Sequence, residues 1–292
     1  MNPVIFLDYY HPYAGLCNQL YLITNHIHEA YQRGTQIYIN KVNIDIFKKE
    51  RIPAADFFNL KATNENIKKL CNKDLILFEK PVDNWYIPKL CIYPVSSIEI
   101  LHCLEFNQTI LDKVPKFQTK VYGLHLRIDI DCIVHYLFEQ NVYDSFMKMN
   151  HIDKNDFIQK LLLDSRVVEY INYLLSQYYT FIKKMGFDKP WYICTSVGKN
   201  SVHAPLEMYL KRVLHFITEH GGTFILPGEY FSQRDLNALI DLLVLTNTEK
   251  MVGFSGSSFS EGYCLKVNSI RNNIKECYFV DGIVPKIKLH GN

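Results

Sequence analysis

Apolar positions along the chain alternate between short continuous runs and longer stretches with three-to-four spacing. Val4 to Asp8 is a β-rich run. After a loop holding a Pro and a Gly, Leu16, Leu20, Ile23, Ile27 and Ala30 mark a helix from Cys17 to about Arg33, with Gly34 as its stop. Gln36 to Ile39 reads as a second strand, and a strand, helix, strand unit predicts a parallel sheet. From Val42 to about Lys120 the pattern is weaker. It predicts a strand at Leu75 to Phe78, a middle interrupted by Pro81, Pro88 and Pro94, and a helix over Ser97 to Leu111. Val114 to Lys120, with Pro115, reads as a crossing between two lobes, so the expected domains are 1–118 and 119–292.

The second half is more regular. Strands are predicted at Tyr122 to Ile128, Pro190 to Cys194, Thr223 to Leu226, Met251 to Phe254 and Cys277 to Val280. Between them come helices over Val167 to Lys184, closed by Gly186, over Pro205 to Thr218, ending at Gly221-Gly222, and over Leu236 to Leu245. Ser232-Gln233-Arg234-Asp235 has the form of a capping box ahead of the last of these. A further helix opens near Phe259. This alternation of β and α predicts a doubly wound α/β lobe.

A chain of 292 residues can form one large α/β unit or two lobes, and with 48% hydrophobic residues it can bury substantial cores. Its 32 basic and 30 acidic residues leave a formal charge of +2, which gives no general field for nucleic acid or an anionic membrane. Charge selectivity must therefore be local to a cleft. Eight scattered cysteines form no CxxC pair and no zinc-ligand spacing, which suits a reducing compartment. MNPVIFLDYY has no basic n-region and reads as a first strand rather than a signal peptide. No run of eighteen apolar residues suggests a membrane span. The expectation is a soluble, cytoplasmic protein, in which the sequon Asn107-Gln108-Thr109 is a chance match.

Three stretches carry candidate chemistry. Met251 to Phe254 runs into a turn of small residues, Ser255, Gly256, Ser257 and Ser258, just before a helix. Such a turn at the carboxyl end of a parallel strand can cradle phosphate on backbone N–H groups, although an ordinary N-cap also uses Ser. In Gly123 to Asp131, His125 and Arg127 alternate with Leu124, Leu126 and Ile128, so both polar side chains leave one face of the strand. The planar donors of Arg127 fit a bidentate anion such as pyrophosphate; an internal salt bridge is the plain alternative. In Ala14 to Leu20, Asn18 and Gln19 open a helix at the edge of the first strand, as caps or as ligand-bonding amides.

Together these stretches resemble the fucosyltransferase superfamily of GT-B glycosyltransferases, and the protein O-fucosyltransferases most closely. That family carries G-x-F-G-N-Q after its first strand, H-L-R-I-x-x-D mid-chain, and a late D-L-x-I-L followed by G-x-x-x-S-S-F. The counterparts are AGLCNQ at Ala14 to Gln19, HLRIDID at His125 to Asp131, DLLVL at Asp241 to Leu245, and GFSGSSF at Gly253 to Phe259. The resemblance implies an α/β GT-B fold, two Rossmann-like lobes with a ligand cleft between them. The first would be the acceptor side and the second would hold the nucleotide sugar. It further implies that Arg127 contacts the β-phosphate and stabilises the departing nucleoside diphosphate, and that His125 lies near the ribose or phosphates. Ser257, Ser258 and Phe259 would hold the pyrophosphate, Asp241 would contact the nucleoside, and Asn18 would reach the donor from the first lobe. A fixed guanidinium and helix N–H groups can stabilise the leaving oxygen without a metal. Gly15 and Cys17 stand where family members often have Arg and a second Gly.

The implied activity is an inverting, metal-independent transfer of a sugar, fucose from GDP-fucose first, to a hydroxyl of a glycan or glycoconjugate. Another nucleotide sugar such as UDP-xylose, or a binding module without catalysis, are the alternatives. No cofactor beyond the nucleotide-sugar substrate is expected. Inversion calls for a general base on the acceptor. Asp8 and His11, at the first strand's edge, are the leading candidates, with Asp129, Asp131 and Glu261 behind them; a solvated or capping carboxylate is the plain reading of each acid, and a surface imidazole that of His11. Asp129-Ile130-Asp131 also has the D-x-D spacing that holds a divalent metal in another glycosyltransferase class, but the preceding His-Leu-Arg accounts for this position better. Val197 to Ser201 lacks the first Gly of a phosphate loop, and no G-x-G-x-x-G occurs.

Overall fold

The computed structural model describes residues 3–8, 15–45, 48–81, 83–88, 97–139, 141–142, 145–146, 149, 151–197, 206–271 and 275–283, the side chains of 151–155 and 269–271 excepted. The chain divides into two compact units: Met1–Lys116 with Gly228–Asn247 and Gly262–Asn272, and Phe117–Pro227 with Thr248–Glu261 and Asn273–Asn292. The first cut lies close to the expected 118/119, but two later segments return to the first unit.

In the first unit, β1 (Val4–Asp8) lies between β2 (Ile37–Asp45) and β5 (Trp85–Tyr86), parallel to both. The first half of β2 pairs in parallel with β4 (Ile76–Leu77), and its second half pairs antiparallel with β3 (Glu50–Pro53). This hairpin explains why β2 runs past the expected Ile39. Helix α1 (Leu16–Arg33) ends at Gly34, whose φ of 61° is the left-handed conformation that glycine adopts without a Cβ clash. The weakly patterned stretch holds α2 (Ala54–Phe57), α3 (Leu60–Cys71), α4 (Ile98–Cys103) and α5 (Gln108–Leu111). The helix expected over Ser97 to Leu111 is thus broken in two. Phe106 pairs and stacks with Phe58, while Glu105 receives the Asn59 N–H and gives its own to Thr63 Oγ1, so this segment is extended. Asn107, of the sequon, caps α5 and donates to the Ala55 carbonyl.

In the second unit, β6 (Tyr122–His125), β7 (Trp191–Cys194), β8 (Phe224–Ile225), β9 (Lys250–Phe254) and β10 (Glu276–Val280) form a wholly parallel sheet in the order β10-β9-β6-β7-β8. The chain starts in the middle, builds outward to β8, then returns to the other side of β6. The helices are α6 (Ile130–Leu137), α7 (His151–Leu161), α8 (Ser165–Met185) and α9 (Glu207–Glu219). Along α8, Val167, Ile171, Leu174, Tyr178 and Ile182 recur on one buried face, and each large apolar side chain so buried contributes about 1.5–3 kcal/mol.

The α10 helix (Arg234–Leu245) belongs to the first unit. The capping box expected before it is not made: Gln233 occupies the N-cap without a side-chain bond. Asn237 instead binds the Tyr230 and Phe231 N–H groups and the Phe231 carbonyl, one full turn into the helix. After β9 the chain enters a π-helix over Ser258–Leu265, and only then an α-helix, α11 (Lys266–Arg271). The chain thus has the two α/β units on chiefly parallel sheets that the expected class requires. Among the described residues no helix is long and apolar enough to cross a membrane.

Candidate nucleotide site

The order of the second sheet fixes where a ligand can bind. The connection after β6 leads toward β7 and the connection after β9 leads the other way, toward β10, so the loops after these two adjacent strands diverge; in doubly wound sheets such a switch point is where a crevice forms at the carboxyl ends of the strands. His125 and Arg127 follow from β6, and Ser255 to Phe259 follow from β9.

β6 is shorter than expected because another element takes over its end. The buried Tyr178 hydroxyl, from α8, accepts the Arg127 N–H and donates to the His125 carbonyl, both at 2.9 Å. The in–out alternation nevertheless continues through Leu124, Leu126 and Ile128, which are buried, while His125 and Arg127 are partly exposed. Arg127 Nη1 donates to Ser257 Oγ at 3.4 Å, and its guanidinium carbon lies 5.9 Å from the Phe254 ring centre. Asp129 approaches Nε at 4.0 Å but makes no hydrogen bond there. Buried Nε has no hydrogen-bond partner among the described residues, and the side chain is 29% exposed. Desolvation opposes the charge on Arg127, but the nearby Asp129 and Asp131 carboxylates outweigh it and raise its affinity for the proton. The result is a fixed cation at the switch point, with its Nε donor unused among the described residues.

His125 packs its ring against Phe259, with centroids 4.9 Å apart. The residue is partly exposed, but Nδ1 is enclosed and has no hydrogen-bond partner among the described residues. Desolvation, with the Arg127 charge behind it, lowers its pKa to about 3 and keeps the imidazole neutral. At the end of the adjacent strand β7, Ser196 Oγ is another buried polar atom without a partner among the described residues. Three such atoms at neighbouring strand ends are unusual, because buried polar groups are nearly always hydrogen-bonded.

The turn after β9 is internally satisfied. Ser257, 2% exposed, accepts the Phe259 N–H at 3.2 Å and the Ser260 N–H at 3.5 Å, besides its bond from Arg127. Ser260 Oγ takes the Phe254 N–H and donates to its carbonyl, tying the first turn of the π-helix to the strand end. Gly256 donates its N–H to Glu261 Oε2 at 2.5 Å, and Ser255 its hydroxyl to the same oxygen at 3.4 Å. Ser258 and Phe259 are partly exposed.

The structure thus gathers His125, Arg127, Ser257 and Phe259 into one site in the second unit. Asp8, Asn18 and Asp241 lie in the first unit, and His11 lies outside the described residues. Asp8 ends β1 and pairs with Arg51 of β3. Asn18 is half-buried on α1 and is not its cap: that position is Gly15, without a side-chain bond. Its neighbour Gln19 is a clamp, bonding the backbone of Asn43 in β2 at both carbonyl and N–H. Asp241 is buried in α10. Asp129 is the N-cap of α6, accepting the Cys132 N–H, and Asp131 lies in that helix's first turn. No group of three His, Cys, Asp or Glu placed for a metal occurs among the described residues. Tyr178 and Ser196 escaped sequence reading. Ser196 stands two residues past the β7 position that pairs with His125, a signal visible only once the strands are aligned.

No family model matches the chain, and no curated protein does. Solved structures that resemble the chain at low identity include two of a NodZ fucosyltransferase. The NodZ alpha-1,6-fucosyltransferase soaked with GDP-fucose has a TM-score of 0.44 and 10% identity, over 91% of this chain and 93% of that one. The Se-Met fucosyltransferase NodZ from Bradyrhizobium has a TM-score of 0.42 and 10% identity, over 91% and 92%.

Proposed function

We propose that the protein is an inverting glycosyltransferase that holds the diphosphate of a nucleotide sugar, GDP-fucose first, at the β6/β9 crevice, and transfers the sugar to a glycan hydroxyl. The observation that carries this reading is Arg127: a fixed guanidinium whose Nε, like the enclosed Nδ1 of the neutral His125 beside it, has no hydrogen-bond partner among the described residues, at the switch point of a parallel sheet. Breaking the glycosyl phosphate bond builds charge on the leaving oxygen, and a preorganised cation stabilises that charge more than the ground state. His125, being neutral, offers one hydrogen bond to a ribose or phosphate oxygen and no charge. Ser257 positions Arg127 rather than the ligand, because its oxygen is buried and already accepts from Arg127 and two backbone N–H groups. The reaction requires no metal in this reading, and the transfer to the acceptor rests on the resemblance in sequence alone.

A second reading, a nucleotide-binding module without catalysis, draws support from the acids themselves. Asp8 is paired with Arg51, Asp129 caps α6, and Glu261 binds the Gly256 turn. Thermal stabilisation by GDP, UDP, GDP-fucose and UDP-xylose, with and without EDTA, tests the donor, since a ligand of the folded state raises the melting temperature. A GDP-selective shift indifferent to EDTA is expected, and a UDP-selective shift would replace the donor. Release of GDP from GDP-fucose with a glycan acceptor tests catalysis, and Arg127→Ala should lower it by about 10²–10³-fold. Binding without turnover on any acceptor would favour the module.

A further inference from the structure

The turn that faces the crevice already carries an anion of its own. Gly256 has a φ of 72°, and its N–H meets Glu261 Oε2 at 2.5 Å. Glu261 reaches this point from the first turn of the π-helix, five residues further on, and Ser255 Oγ bonds the same oxygen. Gly256 is exposed, so its N–H becomes accessible to solvent when the carboxylate leaves. The Tyr136 phenol links this point to Arg127: it donates to the Ser255 carbonyl at 3.4 Å and lies within the fields of both Arg127 and Glu261.

We propose that Glu261 is a carboxylate gate: it fills the anion position of the Ser255-Gly256 turn in the free protein, and the donor diphosphate displaces it. This rests on the reading of the crevice as a nucleotide-diphosphate site. A carboxylate and a phosphate oxygen compete for one N–H, and two anions sharing the vicinity of one guanidinium repel. A diphosphate, with more charge to offer Arg127, can displace the carboxylate, whereas an uncharged nucleoside cannot. On the product side, return of Glu261 to Gly256 expels the nucleoside diphosphate. The gate therefore sets affinity through charge, and the tight turn requires glycine: a Cβ at residue 256 would lie 3.0 Å from the Tyr136 hydroxyl at a positive φ.

The experiment is titration calorimetry of the full chain with GDP, UDP, inorganic pyrophosphate and guanosine. Glu261→Gln keeps an oxygen for the Gly256 N–H and removes the charge, so it should bind GDP and pyrophosphate about 10-fold more tightly, the scale of one charge-assisted hydrogen bond. Guanosine affinity should not change. Glu261→Ala, which vacates the turn, should tighten diphosphate binding in the same direction. If both variants are folded and bind GDP no more tightly than wild type, while Arg127→Ala abolishes binding, the gate is wrong and the nucleotide site stands. If folded wild type and Glu261→Gln bind neither GDP, UDP nor pyrophosphate, the site and the gate fall together.

Discussion

Replacing Tyr178 with Phe probes the link between the core of the second unit and its site. The change removes one oxygen and leaves the ring in the α8 face. Two backbone groups, the Arg127 N–H and the His125 carbonyl, lose partners at 2.9 Å in a place from which solvent is excluded. Each buried group left unsatisfied costs about 1–3 kcal/mol, and loss of the hydroxyl's own desolvation cost offsets part of this, for a net destabilisation of about 2 kcal/mol. For a chain of 292 residues that lowers the melting temperature by about 3 °C. The same bonds fix the backbone from which Arg127 projects, and misplacing a charge-stabilising group by about 1 Å can cost about 10²-fold in rate. The assay is calorimetric melting together with GDP binding and GDP release on one preparation. Melting within about 1 °C of wild type would refute the energetic argument. A lower melting temperature with wild-type binding and turnover would show that Tyr178 stabilises the fold without positioning Arg127.

Gly253→Ala should destabilise by about 1–3 kcal/mol, read by urea unfolding, because a Cβ there would lie 2.7 Å from Phe279 Cε1 and 2.9 Å from Ser260 Cβ. His125 provides a pH signature. Its pKa is about 3 in the folded protein and near 6.5 when exposed, so below pH 6.5 the unfolded chain takes up a proton that the folded chain refuses. Stability should fall as pH drops from 6.5 toward 3, and His125→Gln should flatten that limb of the melting profile. Glu249 acts in the same direction at lower pH. Bonds from Lys120, Lys189 and Lys275 hold its carboxyl at about 2, so its contribution is present above its ordinary 4.5 and is lost on acidification toward 2, a loss that Glu249→Gln should remove.

What could be read from the sequence is what hydrophobic period encodes. β1, α1, α8 and β9 lie within a few residues of their expected places because their apolar faces are long or their stops are glycine. The α/β class follows from the same pattern, and so does the exit of His125 and Arg127 from one face of their strand; grouping them with the Ser257 turn rests on the family resemblance of the motifs, not on hydrophobic period. What could not be read depends on contacts distant in the chain. β6 stops at His125 because a tyrosine 53 residues away takes its carbonyl. The helix predicted through Leu104 to Asn107 breaks because Phe106 finds Phe58. The cap assigned to Ser232 is supplanted by Asn237 reaching back from inside the helix. Most instructive is the serine turn. Its residues point to phosphate, but only the structure shows that Ser257 serves Arg127 and that Glu261 holds the Gly256 N–H.

The division of the chain has a consequence for how the protein can be made and taken apart. It passes between the two units at 116/117, 227/228, 247/248, 261/262 and 272/273. A fragment starting at Phe117 would carry α10 and α11 without the β2 and α4 surfaces on which they pack. A fragment ending at Lys116 would leave those surfaces bare. Neither unit is a contiguous gene segment, so limited proteolysis should not release a stable half, and swapping one unit for that of another protein requires grafting three pieces at once.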